Sequence, residues 1–180
     1  MNLSRSVSQS AIALALGCAV LVGCSPAPAP TPTQTPAFGS EEEAFAAAEE
    51  TYEAYTKALN AVDASNPRTF EATYEYTSGS FQRSDRENFS FMKAEGVTID
   101  GEAVVLSFAG AESSPTFEQV TALVCLDVSG VTVVDASGVS VVNPDRPDIY
   151  AVRATFAFGG ERMLVDAAER TEDETCARLG

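Results

Sequence analysis

SEEEAFAAAEETYEAYTKALNAV, residues 40–62, is the stretch that decides the architecture of this chain. Ser40 and Glu43 form a capping-box pattern, in which the serine hydroxyl accepts from the third helical amide and the glutamate reaches back. Acidic residues at 41, 42 and 43 suit the positive end of a helix dipole. Phe45, Ala48, Tyr52, Tyr55, Leu59 and Val62 recur at three- and four-residue spacing, while Glu49, Glu50, Glu53 and Lys57 fall largely off that stripe. The pattern predicts one long amphipathic helix whose aromatic face belongs against a core.

Downstream, Asn66-Pro67 restarts the chain with a cap and a proline at the first helical position. A short helix over 67–77 is expected to bury Phe70 and Tyr74, with Gly79 as its stop. A second capping pattern, Ser84 with Glu87, predicts a third helix carrying Phe89 and Met92 and ending at Gly96. Beyond Gly96 the period changes to two. Strands are expected over 102–109, 119–128, 150–158 and 163–169, with a hairpin turn at Gly159-Gly160. The near-repeat over 129–142 reads as a local hairpin turning at 135–138, because two copies are too few for a solenoid. Residues 143–147 read as a loop. Helices first and an antiparallel run of strands after them define an α+β domain.

The long helix with Tyr52 and Tyr55, the short helices, the run Cys125-Leu126-Asp127-Val128-Ser129 and a later cysteine together resemble the nuclear-transport-factor-2-like domains of actinobacterial lipoproteins. The resemblance implies the cystatin-like cone fold, a curved antiparallel sheet wrapped around the long helix, over about residues 40–178. It also implies that such sheets pair through their outer faces, so a homodimer is one expectation. A different α+β sandwich, with helices on one sheet face, is the alternative. Arginine outnumbers lysine nine to two, a usage associated with GC-rich genomes and so with an actinobacterial source.

Upstream lie Pro26, Pro28, Pro30, Pro32 and Pro36 within residues 25–39. Alternating proline excludes helix and sheet ladders and favours extended polyproline II, so this tether spans roughly 40 Å. A Debye length near 8 Å is far shorter. Before the tether, an apolar segment over 11–20 follows a polar start with one charge, Arg5. About ten residues fall well short of the roughly 20 that a spanning helix needs, and the arrangement fits a secretory signal. Leu21-Val22-Gly23-Cys24 resembles the lipobox of bacterial lipoproteins, although Val22 is bulkier than the small residues common there. The resemblance implies a diacylglyceryl thioether on Cys24, with fatty chains such as palmitate, followed by cleavage of the signal peptide before it. Two chains hold a protein stably at roughly 0.8 kcal/mol per buried methylene. The expected organisation is therefore 1–23 signal peptide, 24–39 lipidated cysteine and tether, and 40–180 a single domain, on the outer, extracytoplasmic face of the cell membrane.

Cys18 falls in the signal and Cys24 is the lipid site, leaving Cys125 and Cys176 in an exported domain, where disulfides persist. They are expected to pair; the alternatives are a metal site, with no histidine to offer, or a free thiol without a base. The chain has 26 acidic and 11 basic residues, which argues against nucleic acid, whose binding needs Lys and Arg against phosphates. Histidine, the commonest acid–base group near neutrality, is absent.

Asp127 and Asp166 are the candidate carboxylates on strands, with Arg153 on a third, and alternation puts them on the outer face as cross-strand pairs, with Val124, Leu126 and Val128 facing the helix. Tyr74, Tyr76, Phe81 and Phe91 gather around the short helices, where they line a small pocket or plug it. No phosphate loop, zinc spacing, calcium loop or nucleophile elbow occurs. No cofactor is expected. The expectation is a non-catalytic, membrane-anchored domain binding a protein, a wall component or a small apolar ligand. The alternative is a cone-type isomerase or hydrolase using Asp127 or Asp166. An importer's substrate-binding component would need two larger lobes.

Overall fold

The computed structural model describes residues 35–179. The signal peptide, Cys24 and the tether as far as residue 34 lie outside the described residues. The helix predicted at residue 41 runs as α1, Glu41–Asn60. Ser40 Oγ accepts from the Glu43 amide at 3.2 Å. Glu43 in turn accepts from the Gly39 amide at 2.8 Å, so the reciprocal bond closes one residue earlier than a capping box would place it. Ala44, Ala48, Thr51, Tyr52, Tyr55 and Thr56 are its buried residues. Alanine at 44 and 48 lets the helix axis approach the sheet closely. On the facing strand, a Cβ at Gly110 would stand 2.5 Å from the Phe45 ring.

A 3₁₀ turn, Pro67–Phe70, opens under an Asn66 cap and passes into α2, Glu71–Tyr74. The short helix stops before residue 77 because the chain is recruited by the sheet edge. Val165 donates to Tyr76 O at 2.8 Å and Ser78 donates to Val165 O at 2.9 Å. Gly79 is not a stop but the first residue of α3, Gly79–Glu95, so this helix begins five residues before Ser84. Gly79 takes a left-handed φ of 51°, and a Cβ there would collide with the Asp166 carboxylate. Ser84 and Glu87 are exposed within the helix. Gly96 ends it as expected, at φ 66°, with its amide turned back to Met92 and Lys93 carbonyls.

Six strands follow: β1 Thr98–Asp100, β2 Val104–Ser113, β3 Gln119–Asp127, β4 Thr132–Val134, β5 Ile149–Phe158 and β6 Met163–Thr171. Four form an antiparallel sheet in the order β2-β3-β5-β6, and β1 pairs with β4. The hairpin over 129–142 is present in outline. Asp135 accepts from the Ser137 and Val139 amides at 2.8 and 3.0 Å, and Val134 bridges Ser140. The principal partner of its first arm is nevertheless β1, a pairing that local pattern did not predict.

Register shifts in β2, at 105/107 and 110/112, and opposite β6, at 155/156, insert extra residues. Such bulges bend and twist strands, and the sheet curves around α1. Val120, Ala122, Val124, Leu126, Val152, Ala154, Phe156, Met163 and Val165 meet Ala44, Ala48 and Tyr52 in the main core. A separate cluster of Val62, Phe70 and Phe89 holds the short helices. The architecture is α+β, helices on a curved antiparallel sheet. Among the described residues no helix is long and apolar enough to cross a membrane.

Candidate functional site

The strand charges singled out in the sequence do not form a set. Arg153 stands opposite Glu169 on the outer face, both exposed, as alternation predicts. Asp127 has Val104 and Ile149 for neighbours, so it has no charged partner across the strands. It accepts instead from the Ser129 amide at 2.8 Å, and Ser129 holds its carboxyl below the ordinary value through side chain and backbone. Asp166 is the extra residue at the β6 bulge, since the register steps from Val165 to Ala167. It accepts from Ser78 Oγ at 2.9 Å, and its carbonyl accepts from Ser80 Oγ at 3.2 Å. Its work is to seat the start of α3. A bulge cannot be read from alternation, which explains the error.

The four aromatics also part company. Tyr74 packs on Phe89 and carries the Arg86 guanidinium 3.7 Å from its ring centroid. Tyr76 lies against Arg162, and Phe91 is 62 % exposed. Phe81 alone turns inward, edge-on to Tyr55 at 5.2 Å.

Phe81 thereby walls an open pocket of about 240 Å³ between α1, α3 and the sheet, with Tyr52, Tyr55, Leu59, Leu126 and Val152 as its other principal walls. Tyr150, with the Arg170 guanidinium 4.1 Å over its ring, stands at its rim. Behind Tyr55 is a residue that the sequence reading passed over. Asp85 of α3 is 8 % exposed; Oδ1 accepts from the Tyr55 hydroxyl at 3.3 Å and Oδ2 has no partner among the described residues. Burial pushes its carboxyl up to about 6, with the Tyr55 bond pulling the other way. Desolvation likewise raises both Tyr52 and Tyr55, so both remain neutral phenols. A sequence signal did exist: Phe81, Asp85 and Phe89 lie four residues apart, a lone carboxylate inside an apolar stripe.

A larger, open groove of about 850 Å³ lies beside α4, Glu174–Ala177. Cys125 of β3 and Cys176 of α4 are joined there in the expected disulfide, with Cα atoms 5.2 Å apart. Both are 2 % exposed and pack with Ala151, Leu123 and Ile149. The bond fastens α4 to the outer sheet face, which is why Cys125 is buried on the side opposite the core. Among the described residues no group of three or more metal-ligating side chains occurs.

The fold has solved counterparts. The chain is similar to the intermembrane-space region of the chloroplast protein ARC6, with a TM-score of 0.52 and 13 % identity, over 72 % of this chain and 97 % of that one. It is also similar to Aln2 from a Streptomyces species, with a TM-score of 0.44 and 13 % identity, over 82 % and 100 %. The putative transfer protein TraH of a Gram-positive conjugative plasmid gives 0.46 and 8 %, over 71 % and 94 %. No family model and no curated sequence matches. At these identities the likeness concerns the fold alone, a small α+β domain. The chemistry open to the cavity is that of its own walls: apolar contact, phenol hydroxyls, and one buried carboxyl behind them.

Proposed function

We propose that this chain is a lipid-anchored binding domain on the outer face of a bacterial cytoplasmic membrane, non-catalytic, taking a small apolar ligand between α1, α3 and the sheet. The single observation that carries the ligand is the cavity of about 240 Å³ walled by Tyr52, Tyr55, Leu59, Phe81, Leu126 and Val152. Concave, mostly apolar sites with a few polar groups are the usual form of small-molecule pockets. An isomerase or hydrolase working through Asp127 or Asp166 would need one of them desolvated in that cavity, and neither lines it. The anchor rests on the lipobox resemblance at Cys24, and the membership among nuclear-transport-factor-2-like actinobacterial lipoproteins on element order. Beside the exposed Arg153 and Glu169, the outer sheet face carries the small residues Ala109, Thr155, Ala157 and Ala167, which suit pairing with a second copy.

Native mass spectrometry of the chain purified from its own membranes tests the ligand: a retained apolar small molecule, lost in Leu126→Arg, is expected. A chain that carries nothing and takes up no apolar probe removes the reading. The anchor is tested by fractionation, in which Cys24→Ala should leave the membrane for the soluble fraction.

A further inference from the structure

Phe81 and Asp85 stand one turn apart on the same face of α3, and both meet Tyr55 of α1. The segment of helix that lends Phe81 to the pocket wall is thus the segment that carries the buried carboxyl. The Tyr55 hydroxyl donates to Oδ1 alone. Oδ2 is without a partner among the described residues, and a buried carboxylate left so is costly, whereas a protonated carboxyl demands less.

The groups facing Asp85 do not relieve it. From α1 come the Tyr55 hydroxyl and, behind it, Tyr52. From α2 comes Tyr74, whose ring is already covered by Arg86 of α3 itself. From β6, Arg170 lies over the Tyr150 ring at the pocket rim, and Glu169, beside it in the chain, is exposed opposite Arg153. Glycines in the left-handed region, Gly79 at φ 51° and Gly96 at φ 66°, bracket the helix.

We propose that the first half of α3 is a proton-held lid at one side of this open pocket: with Asp85 protonated it lies on α1 with Phe81 in the wall, and with Asp85 ionised it lifts away and widens the slot. Gating of a ligand rests on the binding role proposed above; the lid motion does not. The carboxyl titrates near 6 when closed and near 3.8 when solvated, so opening becomes more favourable as pH rises between these values.

Amide exchange of α3 in the full chain, expressed as protection factors, tests the lid. Between about pH 5 and about pH 7.5 protection over 80–89 should fall roughly tenfold, while β3 and β5 amides stay fixed. Asp85→Asn should keep the acid-state protection at both values. Asp85→Ser, also uncharged, serves if the amide disturbs β3. Asp166→Asn, at the same helix, should retain the wild-type pH response. Equal protection at both pH values, or a response that survives loss of the Asp85 carboxyl, overturns the proposal. Uptake of the neutral probe phenylnaphthylamine separates the two ideas. A lid that opens without greater uptake upholds the lid and removes the ligand, whereas uptake by a chain whose α3 stays protected throughout removes the lid and keeps the ligand.

Discussion

Tyr55 and Asp85 meet across the α1–α3 contact at 3.3 Å, phenol to carboxyl, with the second carboxyl oxygen buried and unpaired among the described residues. The pair joins two helices that also meet through the Tyr55–Phe81 ring contact, and burial raises the proton affinity of its carboxyl.

Global stability should therefore fall as pH rises through the range that titrates Asp85. Its folded value is raised, to about 6 from 3.8, so its contribution is fully present below the unfolded value and lost as pH passes the folded one. Urea unfolding should show a loss of about 1–3 kcal/mol between acid and neutral conditions. Asp85→Asn should flatten that profile and be the more stable form at neutral pH.

Tyr55→Phe should weaken the domain by about 1–3 kcal/mol at neutral pH, because it removes the only donor that Asp85 has among the described residues. The same change should move the carboxyl's titration upward, since the Tyr55 bond lowers it. Carbon-detected NMR of the Asp85 carboxyl reads the shift.

Reduction of Cys125–Cys176, or the double change to serine, should release α4 from the sheet. With a sequence separation of 51 the chain-entropy cost is about 4 kcal/mol. Denaturant midpoints with and without reductant measure it, and thiol labelling should then reach both residues.

Gly79→Ala should cost more than a helix-favouring substitution normally would. The position has φ 51°, and its Cβ would displace the Asp166 carboxylate from Ser78. A loss of about 1–3 kcal/mol is expected by thermal unfolding.

Much of the architecture is written locally. The stripe from Phe45 to Leu59, the Ser40 cap and the Gly96 stop act within a few residues, and each predicts its element boundary to within a residue or two. Alternation along β3 names the inner face correctly, because a strand with one buried side has no freedom of register. The start of α3 escapes local pattern because Ser78 and Gly79 answer to Asp166, distant in the chain. β1 escapes it because its three residues acquire a partner only in β4.

What the sequence alone determined is the set of principal elements, their faces and the reason for a disulfide, since periodicity, caps and cysteine count act at short range or through composition. What only the tertiary structure decided is the cavity and its carboxyl. Asp85 looks like any solvated helical aspartate until α1 is packed on it, because desolvation belongs to the surroundings and not to the residue.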